Sequence, residues 1–178
     1  RQTVGRQLNS CTVGIIGCGH IGKDLVKLLQ PFECNILAHD ILDFPDFYEM
    51  HNVKPVSLNM LLRSSDVITL HLPLNKSTYH LLSLERLHLI KHGAILINLA
   101  RGGLIDEKVL KRMLQSGSIS GLSLDVLEEE PDIDLDLVET ENVFITPHIG
   151  GSTQEAIIAM GMSAIEGLDK HKNSLQFI

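Results

Sequence analysis

Tryptophan is absent, and aromatic residues of every kind make up 4% of the 178 positions, so a core here must be assembled from Leu, Ile and Val rather than from rings. Cationic charge is also short. Fifteen Lys and Arg stand against 22 Asp and Glu, a formal charge of -7. A nucleic-acid partner needs a concentrated basic face, which excludes that class. No uninterrupted apolar run is long enough to cross a bilayer, so no membrane span is expected. Cysteine is limited to Cys11, Cys18 and Cys34, which form neither an even framework nor a C-x-x-C pair and point to a reducing, cytoplasmic compartment. The chain begins at Arg1 rather than Met, as expected of a piece of a longer protein, and no targeting segment is visible. What is plentiful is aliphatic sequence: 44% of residues are hydrophobic, enough for one domain with a substantial core.

Short β-rich runs alternate with helical patterns. The expected strands are Thr12–Ile16, Cys34–His39, Asp66–Leu70, Ala94–Asn98, Ile119–Leu124 and Val143–Thr146, with a weaker one at Val53–Val56 before a short helix over Leu58–Arg63. Most are continuously apolar, as parallel strands covered on both faces should be. Ile21, Leu25, Leu28 and Leu29 are expected on the buried side of the first helix. Asp106 is placed to cap a helix that buries Val109, Leu110, Met113 and Leu114. "STQE" (Ser152 to Glu155) has capping-box spacing and opens a helix through Ile157, Met160, Ala164 and Leu168. "EEEPDIDLD" (Glu128 to Asp136) reads as one loop of mostly solvated charges. The fold class expected is α/β, a doubly wound, mostly parallel Rossmann-type sheet.

"VGIIGCGHIG" follows the first strand and opens the first helix, with Gly17, Gly19 and Gly22 as G-x-G-x-x-G. Gly17 permits the tight turn, Gly19 lets backbone approach a pyrophosphate, and Gly22 lets helix pack on strand. The helix N-terminus favours the anion. The second strand ends in Asp40, whose carboxylate can accept from both adenine-ribose hydroxyls and would repel a 2′-phosphate, which favours NAD over NADP. An ordinary strand-end aspartate is the competing reading.

Ligands of open α/β sheets bind beyond the carboxyl ends of the strands. The segments at those ends, in chain order, are the glycine turn, Asp40, "HLPLNKST" (His71 to Thr78), "LARGG" with Arg101, "DVLEEEP" with Asp125 and Glu130, and "PHIGG" with His148. Beside a nicotinamide that exchanges hydride, an alcohol or carbonyl substrate needs a group that takes and returns a proton, and histidine suits that near neutral pH. A carboxylate such as Glu130 would orient the ring and favour its protonated form. Arg101 could hold a substrate carboxylate bidentately and polarise a carbonyl oxygen. The set fits oxidation of a 2-hydroxy acid.

At these residues the sequence resembles the D-isomer-specific 2-hydroxyacid dehydrogenases. "GIIGCGHIG", "HLPLNKST", "INLARGGLIDEKVL", "LDVLEEEP" and "TPHIGGSTQEA" occur in that order between about Thr12 and Glu155, and the last is most like the D-3-phosphoglycerate dehydrogenases of serine synthesis. The resemblance implies Arg101 as carboxylate-binding residue, Glu130 as partner of the histidine and His148 as acid/base. It implies an NAD groove lined by Gly17, Gly19, His20, Ile21, Gly22, Asp40, Leu72, Pro73, Thr78, Leu99, Ala100, Arg101, Asp125, His148 and Gly150. It further implies a homodimer, a small 2-hydroxy or 2-keto acid as substrate, and a second, substrate-binding domain. Residues 1–178 are thus expected to be a single NAD-binding domain, with 1–11 and 171–178 leading towards that absent domain and little turnover by the chain alone.

Rival readings are weaker on the residues. His88 and His92 fall at i, i+4 but lack an H-E-x-x-H context, so no metal is expected. Neither Tyr48 nor Tyr79 has a lysine four positions on, which excludes the short-chain dehydrogenase pattern. A glycine-turn methyltransferase would not need the Arg–Glu–His set. A non-enzymatic NAD-sensing module, like the dehydrogenase-like corepressors, would keep the dinucleotide site, but the sequence carries no obvious partner-docking stretch.

Overall fold

The computed structural model describes residues 5–131 and 135–169. Seven strands, β1 (Thr12–Ile16), β2 (Asn35–His39), β3 (Val53–Pro55), β4 (Val67–Leu70), β5 (Ala94–Asn98), β6 (Ile119–Leu124) and β7 (Val143–Ile145), form one sheet. The order is β3-β2-β1-β4-β5-β6-β7 and every pair is parallel. The helices are α1 (His20–Leu29), α2 (Pro45–Met50), α3 (Leu58–Ser64), α4 (Leu84–Leu87), α5 (Glu107–Gln115), α6 (Leu135–Val138) and α7 (Gln154–Asp169). The chain divides into two compact units at Thr146/Pro147. The first holds the sheet and the second holds α7.

Side-chain alternation along the strands sorts the core into two layers. Val13 and Ile15 of β1 join Val26, Leu29, Ile36, Ala38 and Tyr48 in the smaller layer. Ile16, Leu37, Leu70, Leu96, Leu110 and Leu122 belong to the larger one. Gly14 lets α3 close down, since a Cβ there would overlap Ser65 Oγ and Leu61. At the amino edge Asp66 accepts from Lys91 Nζ at 2.7 Å, Thr12 N at 2.9 Å and Arg6 Nη1 at 3.1 Å. Burial alone would raise its carboxyl pKa, but these donors outweigh that and hold it low.

Several local expectations shift. The first helix buries Gly22, Val26 and Leu29, whereas Ile21 and Leu28 are exposed. Gly22 draws the helix onto the strand along its own face, which a count of large apolar residues overlooks. Helix α4 ends at Leu87, so His88 is its cap and His92 lies outside it, and the two share no helix face. Among the described residues no group of three or more His, Cys, Asp or Glu could hold a metal ion. The start of α7 is one residue later than the Ser152 box: Thr153 Oγ1 accepts from Ala156 N at 3.1 Å, so Thr153 is the cap. The acidic stretch is no uniform loop, because Leu135 and Asp136 open α6; its residues 132–134 lie outside the described set, as do 171–178.

Asp106 caps α5 as expected, accepting from Val109 N at 3.2 Å. Asp106→Ala should cost about 1 kcal/mol and lower the thermal midpoint by roughly 2–4 °C, read by circular dichroism on heating.

Candidate functional site

The sheet order reverses between β1 and β4, which is where an open α/β fold leaves a crevice. The glycine turn closes that point. Gly17 has φ +94°, donates to His39 O at 2.8 Å, and passes the β4 loop so closely that a Cβ would sit 2.5 Å from His71 O. A Cβ on Gly22 would overlap Gly17 O, whereas Gly19 faces open space. That open position leaves the backbone at the start of α1 accessible to an anion. His20 and Ile21, the first residues of α1, are exposed beside it.

Asp40 is tied to this turn. Its Oδ2 accepts from Cys18 N at 2.6 Å and its Oδ1 from Leu42 N at 2.9 Å. Two carboxylate oxygens offer about four acceptor sites, so these two bonds leave acceptor capacity on Asp40. Cys18 and Tyr48, both buried, belong to the same core layer behind the turn. Burial raises the pKa of both groups, so they are neutral near pH 7.

Three loops follow β4, β5 and β6. Where β4 passes into the first, the Thr69 hydroxyl and His71 Nε2 lie 2.9 Å apart. Thr78 is turned inward to staple its loop: its Oγ1 donates to Pro73 O at 2.7 Å and accepts from Asn75 N at 2.8 Å. Leu72 is half-buried and Pro73 exposed. In the second loop the buried Asn98 accepts from Ala100 N at 3.1 Å and donates to Arg101 O at 2.8 Å, which sets the backbone that carries Arg101. The Arg101 guanidinium donates to Ala100 O at 2.6 Å and is exposed, as is Leu99. In the third loop the buried Asp125 accepts from Thr146 Oγ1 at 2.5 Å, and Glu130 Oε1 accepts from Leu127 N at 2.8 Å. Gly102 seals the second loop against the third, since a Cβ there would overlap the Leu127 carbonyl.

His71 provides a pH test. Burial pushes its imidazole below the usual value. The folded chain therefore binds fewer protons than the unfolded chain below about pH 6.5, and stability falls as pH drops from there towards the folded pKa. Thermal melts between pH 7.5 and 5.5 should show this loss, and His71→Gln should flatten it.

His148 and Gly150 belong to the second unit and are exposed. His148 has φ +53°, in the left-handed region, which His, like Asn and Asp, enters more readily than most side chains. It is followed by a turn in which Ser152 N donates to Ile149 O at 3.0 Å.

Residues the sequence did not single out also shape the first unit. Asn98 had a signal in "INLARGG", a polar residue ending an apolar strand. Tyr79, His80 and Glu128 had none: Glu128 sat in a run that reads as solvated charge, yet its Oε1 accepts from Tyr79 Oη at 3.0 Å and pairs with His80 Nε2 at 2.7 Å.

The sequence profile described as "D-isomer specific 2-hydroxyacid dehydrogenase, NAD binding domain" matches residues 1–150. The chain is 42% identical over 167 residues to a D-3-phosphoglycerate dehydrogenase of Methanocaldococcus jannaschii, covering 93% of this chain and 32% of that protein. It is 40% identical over 153 residues to a glyoxylate reductase of Thermococcus litoralis, covering 86% and 46%. The crystal structure of a glyoxylate reductase from Paecilomyes thermophila superposes with a TM-score of 0.87 at 37% identity, covering 94% of this chain and 51% of that one. A D-lactate dehydrogenase from Aquifex aeolicus, complexed with NAD and lactic acid, gives 0.84 at 34% identity, covering 94% and 56%. The chain thus spans about a third to a half of the relatives it matches. With a profile match over most of its length and a glycine turn set at the sheet's switch point, the chain belongs to the NAD-binding-domain family of the D-isomer-specific 2-hydroxyacid dehydrogenases.

Proposed function

We propose that this chain is the cofactor-binding part of an oxidoreductase that moves hydride between NAD and a D-2-hydroxy or 2-keto acid, 3-phosphoglycerate among the candidates. The observation that carries the reading is the join at the switch point, where Gly17 fits under the His71 backbone and Asp40 reaches the same turn. NAD laid across that point would rest its pyrophosphate on the start of α1 and its adenine ribose on Asp40, and extend its nicotinamide towards the loops after β4, β5 and β6. No cofactor step beyond hydride exchange is needed; the rest is proton handling and positioning by the chain. His148 takes the hydroxyl proton on oxidation and returns it on reduction, Glu130 orients the imidazole, and Arg101 binds the substrate carboxylate. The exposed Arg101 guanidinium and the ordered motifs support these roles. Turnover requires a substrate-binding part such as the longer relatives have room for. A homodimer and a cytoplasmic setting complete the reading.

The experiment is calorimetric titration of the 178-residue chain with NADH and NADPH. NADH should bind at least about tenfold more tightly, a preference of about 1.4 kcal/mol. Failure to bind either sinks the reading. A longer form carrying the flanking sequence should then oxidise 2-hydroxy acids, and His148→Gln should abolish that oxidation.

A further inference from the structure

The loops after β4, β5 and β6 reach one another through a cluster the proposed chemistry leaves unused. Glu128 is its centre. Its Oε1 pairs with His80 Nε2 at 2.7 Å and accepts from Tyr79 Oη at 3.0 Å, while its backbone N–H donates to Glu107 Oε1 at 2.7 Å. The side chains of His80 and Glu128 are 28% and 24% exposed, so water competes for their hydrogen bond less than it would on an open surface. The Tyr79 and His80 rings stack with centroids 4.0 Å apart and planes 15° from parallel. His80 is held at φ +46°, in the left-handed region uncommon for any residue but glycine, and its N–H donates to Gly103 O at 2.8 Å. Strain of this kind persists only where surroundings over-determine it. Gly103 meets the Tyr79 ring, with a would-be Cβ 3.4 Å from it, and neighbouring Gly102 abuts Leu127.

The Glu128 carboxylate thus ties the loop after β6 to the loop after β4, and the His80 N–H ties that loop to the one after β5. Each carries a residue assigned to the site: Thr78 next to Tyr79, Arg101 next to Gly102, and Glu130 two residues after Glu128. We infer that Tyr79, His80 and Glu128 are positioning residues that lock the nicotinamide side of the cofactor groove, setting Arg101 and Glu130 in register without touching either ligand. This rests on the proposed NAD site. A loosened lock lets the three loops move separately, so binding the cofactor carries the added cost of ordering them.

The test is a double-mutant cycle on the 178-residue chain, read by NADH titration and by amide resonances of residues 101–104 and 125–130. His80→Leu and Glu128→Gln should each weaken NADH about tenfold, and the double variant should be no weaker than the worse single, because the two act through one interaction. His80→Gln, which keeps a donor for Glu128, should restore affinity to within about threefold, and both amide segments should shift in His80→Leu but not in His80→Gln. Tyr79→Phe removes one hydroxyl from a ring already 56% exposed and decides the matter if His80→Leu does not fold; about a threefold loss is expected. Additive effects, unchanged loop resonances, or NADH affinity unmoved by Glu128→Gln and Tyr79→Phe would overturn the lock while the NAD site stands. A wild-type chain that binds no NADH overturns both.

Discussion

Gly17→Ala is expected to weaken NADH binding by at least about 100-fold, because the turn that should cradle the pyrophosphate cannot keep its shape. Two costs combine. A side chain at φ +94° costs about 1–2 kcal/mol. Its Cβ would also lie 2.5 Å from His71 O, and both partners are backbone, so relief requires moving the turn away from the β4 loop. Together these should remove about 2–4 kcal/mol of stability, a drop of roughly 5–15 °C in the thermal midpoint. Gly93→Ala supplies the contrast. It too has positive φ, at +77°, but nothing lies within 4 Å of its would-be Cβ. It should show only the conformational cost, about 1–2 kcal/mol, with NADH affinity intact. Calorimetric titration beside thermal melts separates the two, and a Gly17→Ala chain that binds NADH like the parent would refute the placement of the pyrophosphate.

Asp40→Asn should be nearly as damaging, and in an instructive way. A carboxylate that serves only the ribose would, once neutralised, exchange NAD preference for tolerance of the 2′-phosphate. Here the same carboxylate accepts from Cys18 N and Leu42 N through different oxygens. Asn has one acceptor oxygen, so its amide NH2 must then face one of those N–H donors. The glycine turn loosens together with the ribose contact. The expected result is a 10- to 100-fold loss of NADH affinity, about 1.5–3 kcal/mol for charge-assisted hydrogen bonds, with no matching gain for NADPH. A variant that binds NADPH as tightly as the parent binds NADH, at an unchanged melting temperature, would show that the Cys18 link carries no weight.

Much of the architecture was legible because it depends on local order. Apolar strands alternating with capped helices leave few ways to build a sheet, and right-handed crossovers reduce these further. Asp106 and its buried stripe Val109, Leu110, Met113 and Leu114 could be read directly, since a cap and a 3.6-residue period are properties of neighbours in the chain. The α1 stripe was misread at Ile21 and Leu28 because the face a helix buries is decided by what it packs against, and the absent side chain of Gly22 brings that surface closest. The capping box at Ser152 gave way to Thr153, whose hydroxyl rather than that of Ser152 accepts from the first turn of α7.

The candidate site divides along the same line. Residue types and their order after each strand determined, without any coordinates, that Gly17, Asp40, Arg101 and Glu130 stand at carboxyl-edge loops of a dinucleotide fold. Hydrogen bonds between loops far apart in the chain have no sequence period to announce them. Only the tertiary structure could turn Asp40 onto Cys18, close Thr78 on Pro73, and take Glu128 out of an acidic run to hold Tyr79 and His80. A carboxylate's partner is set by which donors folding brings within about 3 Å, and that is fixed by packing across the sheet rather than by neighbours along the chain.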